Sequence, residues 1–221
     1  MEVVYKIDDI DLKDYNVFVS ASDGLLSRPK PKKNISVEWS DYNGSVVDLS
    51  KKLYEAREIE LDCFIKSDSQ AEFVSKCNAF LSVFDKVGTR RLEVYVNAET
   101  TPKPLVFEVY STDSIEVSKK WNSNLMVGSF KLKLSEPEPI KKVFKYTRTN
   151  DANKTVSITF TSAKLLNIYW GDGSHLFDAN GTAQTITHDY ANNGTFYIVI
   201  TGNIDEITSL TSTGVLVWNK L

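Results

Sequence analysis

The sequence predicts a mainly β protein. An α+β first domain, an antiparallel sheet plus one helix, is expected over residues 1–139, followed by a small immunoglobulin-like β-sandwich over 140–221. Three observations carry this. Short runs of alternating apolar and polar residues recur along the 221 residues, the period of half-buried strands. Only "AEFVSKCNAFLSVF" repeats apolar residues at spacings of three and four, the helical period. Between the two parts, "LSEPEPIKKV" (134–143) sets Pro137 and Pro139 where composition shifts to Thr-, Asn- and Gly-rich short runs, and proline interrupts strand pairing and favours an extended connector.

In chain order, "ISVEWSDYNGSVVDLS" (35–50) holds Asn43-Gly44 between two apolar-alternating runs, a hairpin signal because both residues tolerate positive φ. "EIELDCFIK" puts Ile59, Leu61, Cys63 and Ile65 on one face of a strand. The helix follows, with Ser69 and Glu72 in capping-box spacing, an apolar stripe of Phe73, Val74, Cys77, Phe80, Leu81 and Phe84, and Gly88 as its end. Each large side chain buried there contributes roughly 1.5–3 kcal/mol. Three strands close the first domain: "RRLEVYVNA", "PLVFEVYSTDSIEVS" and "GSFKLKLSEPE". The result is a helix laid on an antiparallel sheet. The second domain reads as roughly seven short strands, among them "TVSITFT", "KLLNIYW", "QTITHDY", "GTFYIVITG" and "GVLVWNKL", with tight turns at Asn180-Gly181 and Asn193-Gly194.

Composition narrows the partners. The formal charge of −3 gives no whole-molecule attraction to nucleic acid or an anionic membrane. No apolar run approaches the roughly 20 residues that span a bilayer. The start, "MEVVYKIDDIDLKDY", carries acids where a signal peptide would carry a basic patch, so synthesis in a cytoplasm is expected. Cys63 and Cys77 read as free, packed thiols, since buried cysteine behaves as a small hydrophobe. No metal or other cofactor is expected.

One stretch imitates chemistry. "IYWGDGSHLF" (168–177) offers Gly171 and Gly173 for an anion, Asp172 for calcium, and Ser174 with His175 as nucleophile and base. A phosphate loop would need a following helix and a Lys. A calcium loop would need alternating oxygens and a bidentate Glu, and a hydrolase elbow would need Ser between glycines. A turn needs only glycines and an Asp that accepts from its own following amides. The stretch meets that requirement, with a weak calcium site as the alternative. His188, in "THDY", reads as a structural hydrogen-bonding residue, and the acidic "DDIDLKD" as a solvated segment. No enzymatic site emerges.

The segment "SASDGLLSRPKPKKN" (20–34) is different in kind. Arg28, Lys30, Lys32 and Lys33 interleave with Pro29 and Pro31, giving an extended basic arm. It suits docking on an acidic surface of a neighbouring subunit. A solvated loop is one alternative; a nucleic-acid tether is another, for which four charges without interleaved aromatics grip poorly.

Two resemblances follow from these motifs. "DYNVFVSASDGLLSRPKPKKNISVEWSDYNG", then "YEAREIELDCFIK", "FVSKCNAFLSVF", "GTRRLEVYV" and "FKLKLSEPEP", resembles the phage distal tail protein family over about residues 14–139, with Asn16 at a position where Gly is expected. That resemblance implies a hexameric ring of this chain at a virion tail tip, connecting tail tube to baseplate or fibre components, without catalysis. "YWGDGS", "HDY" and "GTFYIVITG" are similar to PKD-type immunoglobulin-like domains, with Tyr169-Trp170 in place of the usual lead-in. Such modules imply an outward-facing accessory role and, as an alternative function, adhesion to a host surface glycan. In the ring, Leu25, Leu26, Arg28, Lys30, Lys32, Lys33 and Trp39 are the expected subunit interface. In the alternative, Tyr169, Trp170, Phe177 and Tyr190 would offer a stacking surface, although strand alternation sends some of them inward.

Overall fold

A computed structural model describes residues 3–96, 103–121 and 125–221. The chain starts with β1 (Val4–Ile7) and β2 (Ile10–Asp11), joined by Asp8 and Asp9 at φ 48° and 67°. Two consecutive positive φ values make the tight turn that matches strand twist. Part of the acidic run expected to be merely solvated is therefore a structured turn. Asp8 accepts from the Arg91 amide at 2.9 Å and from the Arg90 guanidinium at 3.0 Å. Asp11 then caps a short 3-10 turn through the Lys13 amide. Asn16 ends that turn at φ 58°, a left-handed position that Asn tolerates in place of Gly.

β3 (Val17–Asp23) leads to an exposed hairpin, β4 (Ser36–Glu38) and β5 (Ser45–Val47), and then to β6 (Arg57–Ser67), whose burial alternates along its length as its sequence predicts. Helix α1 (Gln70–Leu81) is capped by Ser69, which accepts from the Glu72 amide at 3.2 Å. The Glu72 carboxylate turns away to accept from Asn16 at 3.0 Å. Phe73 and Phe80 are buried, whereas Val74 faces solvent. The helix stops at Leu81, earlier than Gly88, because the chain turns at Ser82, whose hydroxyl donates back to the Ala79 carbonyl. Gly88, at φ 88°, instead sits just before β7 (Arg90–Tyr95). Residues 97 and 98 of the predicted strand lie outside the described residues.

β8 (Leu105–Ser111), β9 (Ser118–Trp121) and β10 (Met126–Glu136) complete the first sheet, in the order β2-β1-β7-β8-β10-β6-β3 with β9 beside β10. All pairings in it are antiparallel. α1 covers one face, with Phe80 5.5 Å from Phe130 between ring centroids. Gly128 makes room for a second helix residue: a Cβ there would meet the Phe73 ring at 2.8 Å.

The second lobe contains β11 (Lys142–Arg148), β12 (Thr155–Tyr169), β13 (His175–Asp189), β14 (Gly194–Gly202), β15 (Ile207–Ser212) and β16 (Val215–Trp218). It has six strands where roughly seven short ones were expected, and β12 and β13 each run 15 residues. β12 pairs with β15 along its first half and with β14 along its second, while β13 follows it on the other side. The strand bends at register shifts between Phe160 and Ile168. Asn180-Gly181 makes no turn. It lies within β13 at the bend, flanked by Asp178 and Ala183 at positive φ. The same tolerance that suits Asn-Gly to a hairpin suits it to a bulge, and the sequence does not distinguish the two.

The two lobes touch through apolar and ionic contacts. Val106 of β8 packs with Val143, Tyr169, Tyr197 and Val199. The Trp218 indole donates to the Pro104 carbonyl at 2.8 Å. Arg91 pairs with buried Glu108 and also donates to the Tyr197 carbonyl.

Candidate interaction arm

Between β3 and β6 the chain leaves the body as a two-limbed arm. Its root is fixed by Gly24, at φ 85°, where a Cβ would stand 2.0 Å from the Glu58 carbonyl oxygen. Only glycine fits so close a crossing. Leu25 then plugs into the core at 7% exposure, and Pro29 is buried. Beyond it the limbs pair. The Glu55 amide donates to the Lys30 carbonyl and the Lys32 amide to the Leu53 carbonyl, both at 2.8 Å. The Asp48 amide donates to the Ile35 carbonyl at 2.9 Å, and β4 pairs with β5 from Ser36↔Val47 to Glu38↔Ser45. The loop at 39–44 closes the tip with Gly44 at φ 87°. The Asn43-Gly44 hairpin is thus present, with a loop of six residues.

Residues 30–53 are exposed along their whole length. Ile35, Val37, Trp39, Tyr42, Val46, Val47, Leu49 and Leu53 all present apolar surface to solvent, with Trp39 at 59% and Leu49 at 76%. Single exposed apolar residues are ordinary; a contiguous set on one projecting element marks an interaction surface. Two strands without a third, and without a core beneath them, gain little stability from their own pairing. Arg28, Lys30, Lys32 and Lys33 flank the limb as open charges, Lys30 meeting Glu55 at 3.0 Å in a solvent-exposed pair. A second exposed pair, Lys51 with Glu206 at 2.6 Å, links the arm to the second lobe. Exposed pairs of this kind contribute about 0–1 kcal/mol each.

Of the residues expected at an interface, Leu26, Arg28, Lys30, Lys32, Lys33 and Trp39 are open, Leu26 at 80%. Leu25 is the exception. It anchors the arm in its own core and presents nothing outward, because the Gly24 crossing turns it inward. Ile35, Val46 and Leu49 join the surface. Their signal was present in the hairpin sequence, but alternating patterning alone does not say whether a core lies beneath.

The expected stacking surface is not assembled. Trp170 and Tyr190 are buried, and Tyr169 lies against the first lobe; Phe177 alone of the four is open, at 48%. Tyr190 stacks on Phe196 with centroids 3.8 Å apart, which accounts for its place in the core. His175 lies 4.3 Å from the Phe177 ring.

The Gly-Asp-Gly stretch is a closed turn. The Trp170 amide donates to the Ser174 carbonyl at 3.0 Å, with Gly171 and Gly173 at φ 99° and 89°. Asp172 Oδ1 accepts from the Ser174 amide at 3.0 Å and also from its hydroxyl. Asp172 Oδ2 faces His188 Nε2 at 2.7 Å. Ser174 Oγ approaches that same nitrogen at 3.4 Å. In a nucleophilic triad the carboxylate and the hydroxyl address opposite ring nitrogens; here they compete for one. Burial opposes the Asp172 charge, but hydrogen bonds from Ser174 and His188 outweigh it and hold this carboxyl below its ordinary range. The His188 ring stacks on Trp170 with centroids 4.9 Å apart, a structural role. Both cysteines are free, Cys63 buried and Cys77 half-buried.

No family model matches the chain, and no curated protein matches it. Among solved structures it is similar to the SPP1 Dit protein, described as a paradigm of the hub adsorption apparatus in phages infecting Gram-positive bacteria. The identity is 13% and the TM-score 0.48, over 97% of this chain and 83% of that one. It is also similar to a chain of the phage P2 baseplate in its activated, calcium-bound conformation, at 8% identity and a TM-score of 0.46, over 91% of this chain and 99% of that one.

Proposed function

We propose that this chain is a non-enzymatic structural subunit of a phage or prophage tail tip. It assembles with copies of itself into a ring, joins tail tube to baseplate or fibre components, and carries its second lobe outward as an accessory. The observation that supports this reading is the arm: eight large apolar side chains held out on a two-stranded hairpin with a basic flank. Closed rings use head-to-tail contacts between unlike surfaces, and a projecting element that reaches a neighbour supplies one half of such a contact. Trp and Arg carry a disproportionate share of interface energy, which gives Trp39 and Arg28 the leading roles. The segment order from residue 14 to 139 resembles distal tail proteins and supports the tail-tip setting; six is the subunit number that resemblance implies. The hydrogen bonds of Ser174 and His188 within their turn support a role without catalysis.

Sedimentation velocity and negative-stain imaging of the full chain over a concentration series test this. A ring is expected at high concentration. The double variant Trp39→Ser, Leu49→Ser is expected to stay monomeric with an unchanged thermal midpoint. An unchanged ring in that variant, or a wild type that stays monomeric throughout, would sink the reading.

A further inference from the structure

Beside the Arg91–Glu108 pair, the junction between the lobes buries a second charged cluster. Arg57 begins β6, Glu136 ends β10, and Lys141 stands just before β11; all three are buried, Lys141 completely. Arg57 Nε donates to Glu136 Oε2 at 3.0 Å, and Lys141 Nζ pairs with Glu136 Oε1. The remaining guanidinium nitrogens go elsewhere. One donates to the Ser27 carbonyl at 2.6 Å and the Gly24 carbonyl at 3.4 Å, at the root of the arm. The other donates to the Pro139 carbonyl at 3.3 Å, in the connector. The Phe107 ring lies against both cations, 4.2 Å from Lys141 Nζ and 5.5 Å from the Arg57 guanidinium.

We infer that Arg57 is a positioning residue. Together with Glu136 and Lys141 it fixes the direction in which the arm leaves the body relative to the second lobe. The chemistry is specific to the planar fork of arginine, which alone offers enough donors in fixed directions to hold a carboxylate and three carbonyls from two segments at once. Buried ion pairs are a weak source of net stability, but removing one member leaves an uncompensated charge. Such a network therefore specifies geometry more than it stabilises the fold. The exposed Lys51–Glu206 pair, which also spans arm and second lobe, lacks that rigidity. On the reading of the arm as the assembling element, the network links the angle of docking to the angle at which the second lobe is displayed.

The test reads this within a single chain. Spin labels are placed at Lys33→Cys at the base of the arm and Asn193→Cys on the second lobe, in a Cys77→Ser background with buried Cys63 retained. Distances are measured by pulsed electron resonance on dilute monomer. The parent is expected to give one narrow distribution. Arg57→Lys keeps a charge for Glu136 but loses the fork, and Lys141→Met keeps the packing against Phe107 but cuts the link to the second lobe. Each is expected to broaden the distribution at least about twofold, since the buried tie between the arm root and the connector is weakened while the Val106 and Trp218 contacts still hold the lobes together. Lys51→Met is expected to leave it narrow. A narrow distribution in both junction variants, or a broad one in the parent, overturns the inference. Because dilute monomer is measured, failure of the chain to form rings leaves this result readable on its own.

Discussion

The hydroxyl of Tyr190 donates to the carbonyl of Trp170 at 2.7 Å, tying the end of β13 to the residue that opens the Gly-Asp-Gly turn. Both residues are buried, so the carbonyl has no water to replace the lost donor. Tyr190→Phe is expected to lower stability by about 1–3 kcal/mol, the desolvation cost of an unsatisfied buried acceptor. Urea denaturation of both chains measures it, and a difference indistinguishable from zero would contradict the assignment.

Two glycines of the arm segment share a left-handed conformation but differ in surroundings. Gly24 would drive a Cβ into the Glu58 carbonyl, whereas a Cβ at Gly44 meets nothing within 4 Å. Gly44→Ala is expected to strain only the tip of a hairpin that can open locally, and so to leave the thermal midpoint nearly unchanged. Gly24→Ala adds a clash with backbone and is expected to cost more, above about 3 kcal/mol. Thermal unfolding should therefore rank the two clearly, with Gly24→Ala the lower.

The Asp172 turn gives a pH dependence with a definite sign. Its folded value lies below the ordinary 3.8, so the unfolded chain binds the proton more tightly than the native one. The stabilisation is fully present above 3.8 and is lost as pH falls through the folded value. The difference in midpoint between wild type and Asp172→Asn is expected to shrink as pH falls below about 3.8. A gap that widened on acidification would be the wrong sign.

The two thiols should separate in reactivity. Burial pushes Cys63 up to about 12, with neighbouring Asp62 adding to the effect, while half-buried Cys77 is raised by burial alone. Only the thiolate alkylates readily. Under native conditions at mildly alkaline pH, iodoacetamide is expected to label Cys77 first, with Cys63 reacting only on unfolding. Mass spectrometry of the peptides decides between them.

Several of these features were legible in the sequence, for identifiable reasons. The alternation in β6 and the cap at Ser69 survive because burial on one face and a single amide acceptor are local facts. The arm's charge and its hairpin were visible for the same reason. The bend in β12 and β13 was not, since Asn180-Gly181 permits positive φ without saying whether the chain reverses or bulges. The Asp8-Asp9 turn was hidden because adjacent acids look solvated until Arg90 and Arg91 arrive from β7. Arg57, Glu136 and Lys141 resemble surface charges in sequence, and only their convergence from three segments buries them. Leu25 read as outward-facing because a glycine crossing can turn its neighbour either way.

The bare arm has a consequence for the life of the chain before it is used. On the proposed reading, each newly folded copy carries an apolar strip, from Ile35 to Leu53, that its own fold leaves exposed. Exposed apolar strips of this kind favour self-association as copies accumulate. Arg28, Lys32 and Lys33, with Lys30 partly offset by Glu55, temper this, because like charges at the base of each strip repel identical arms.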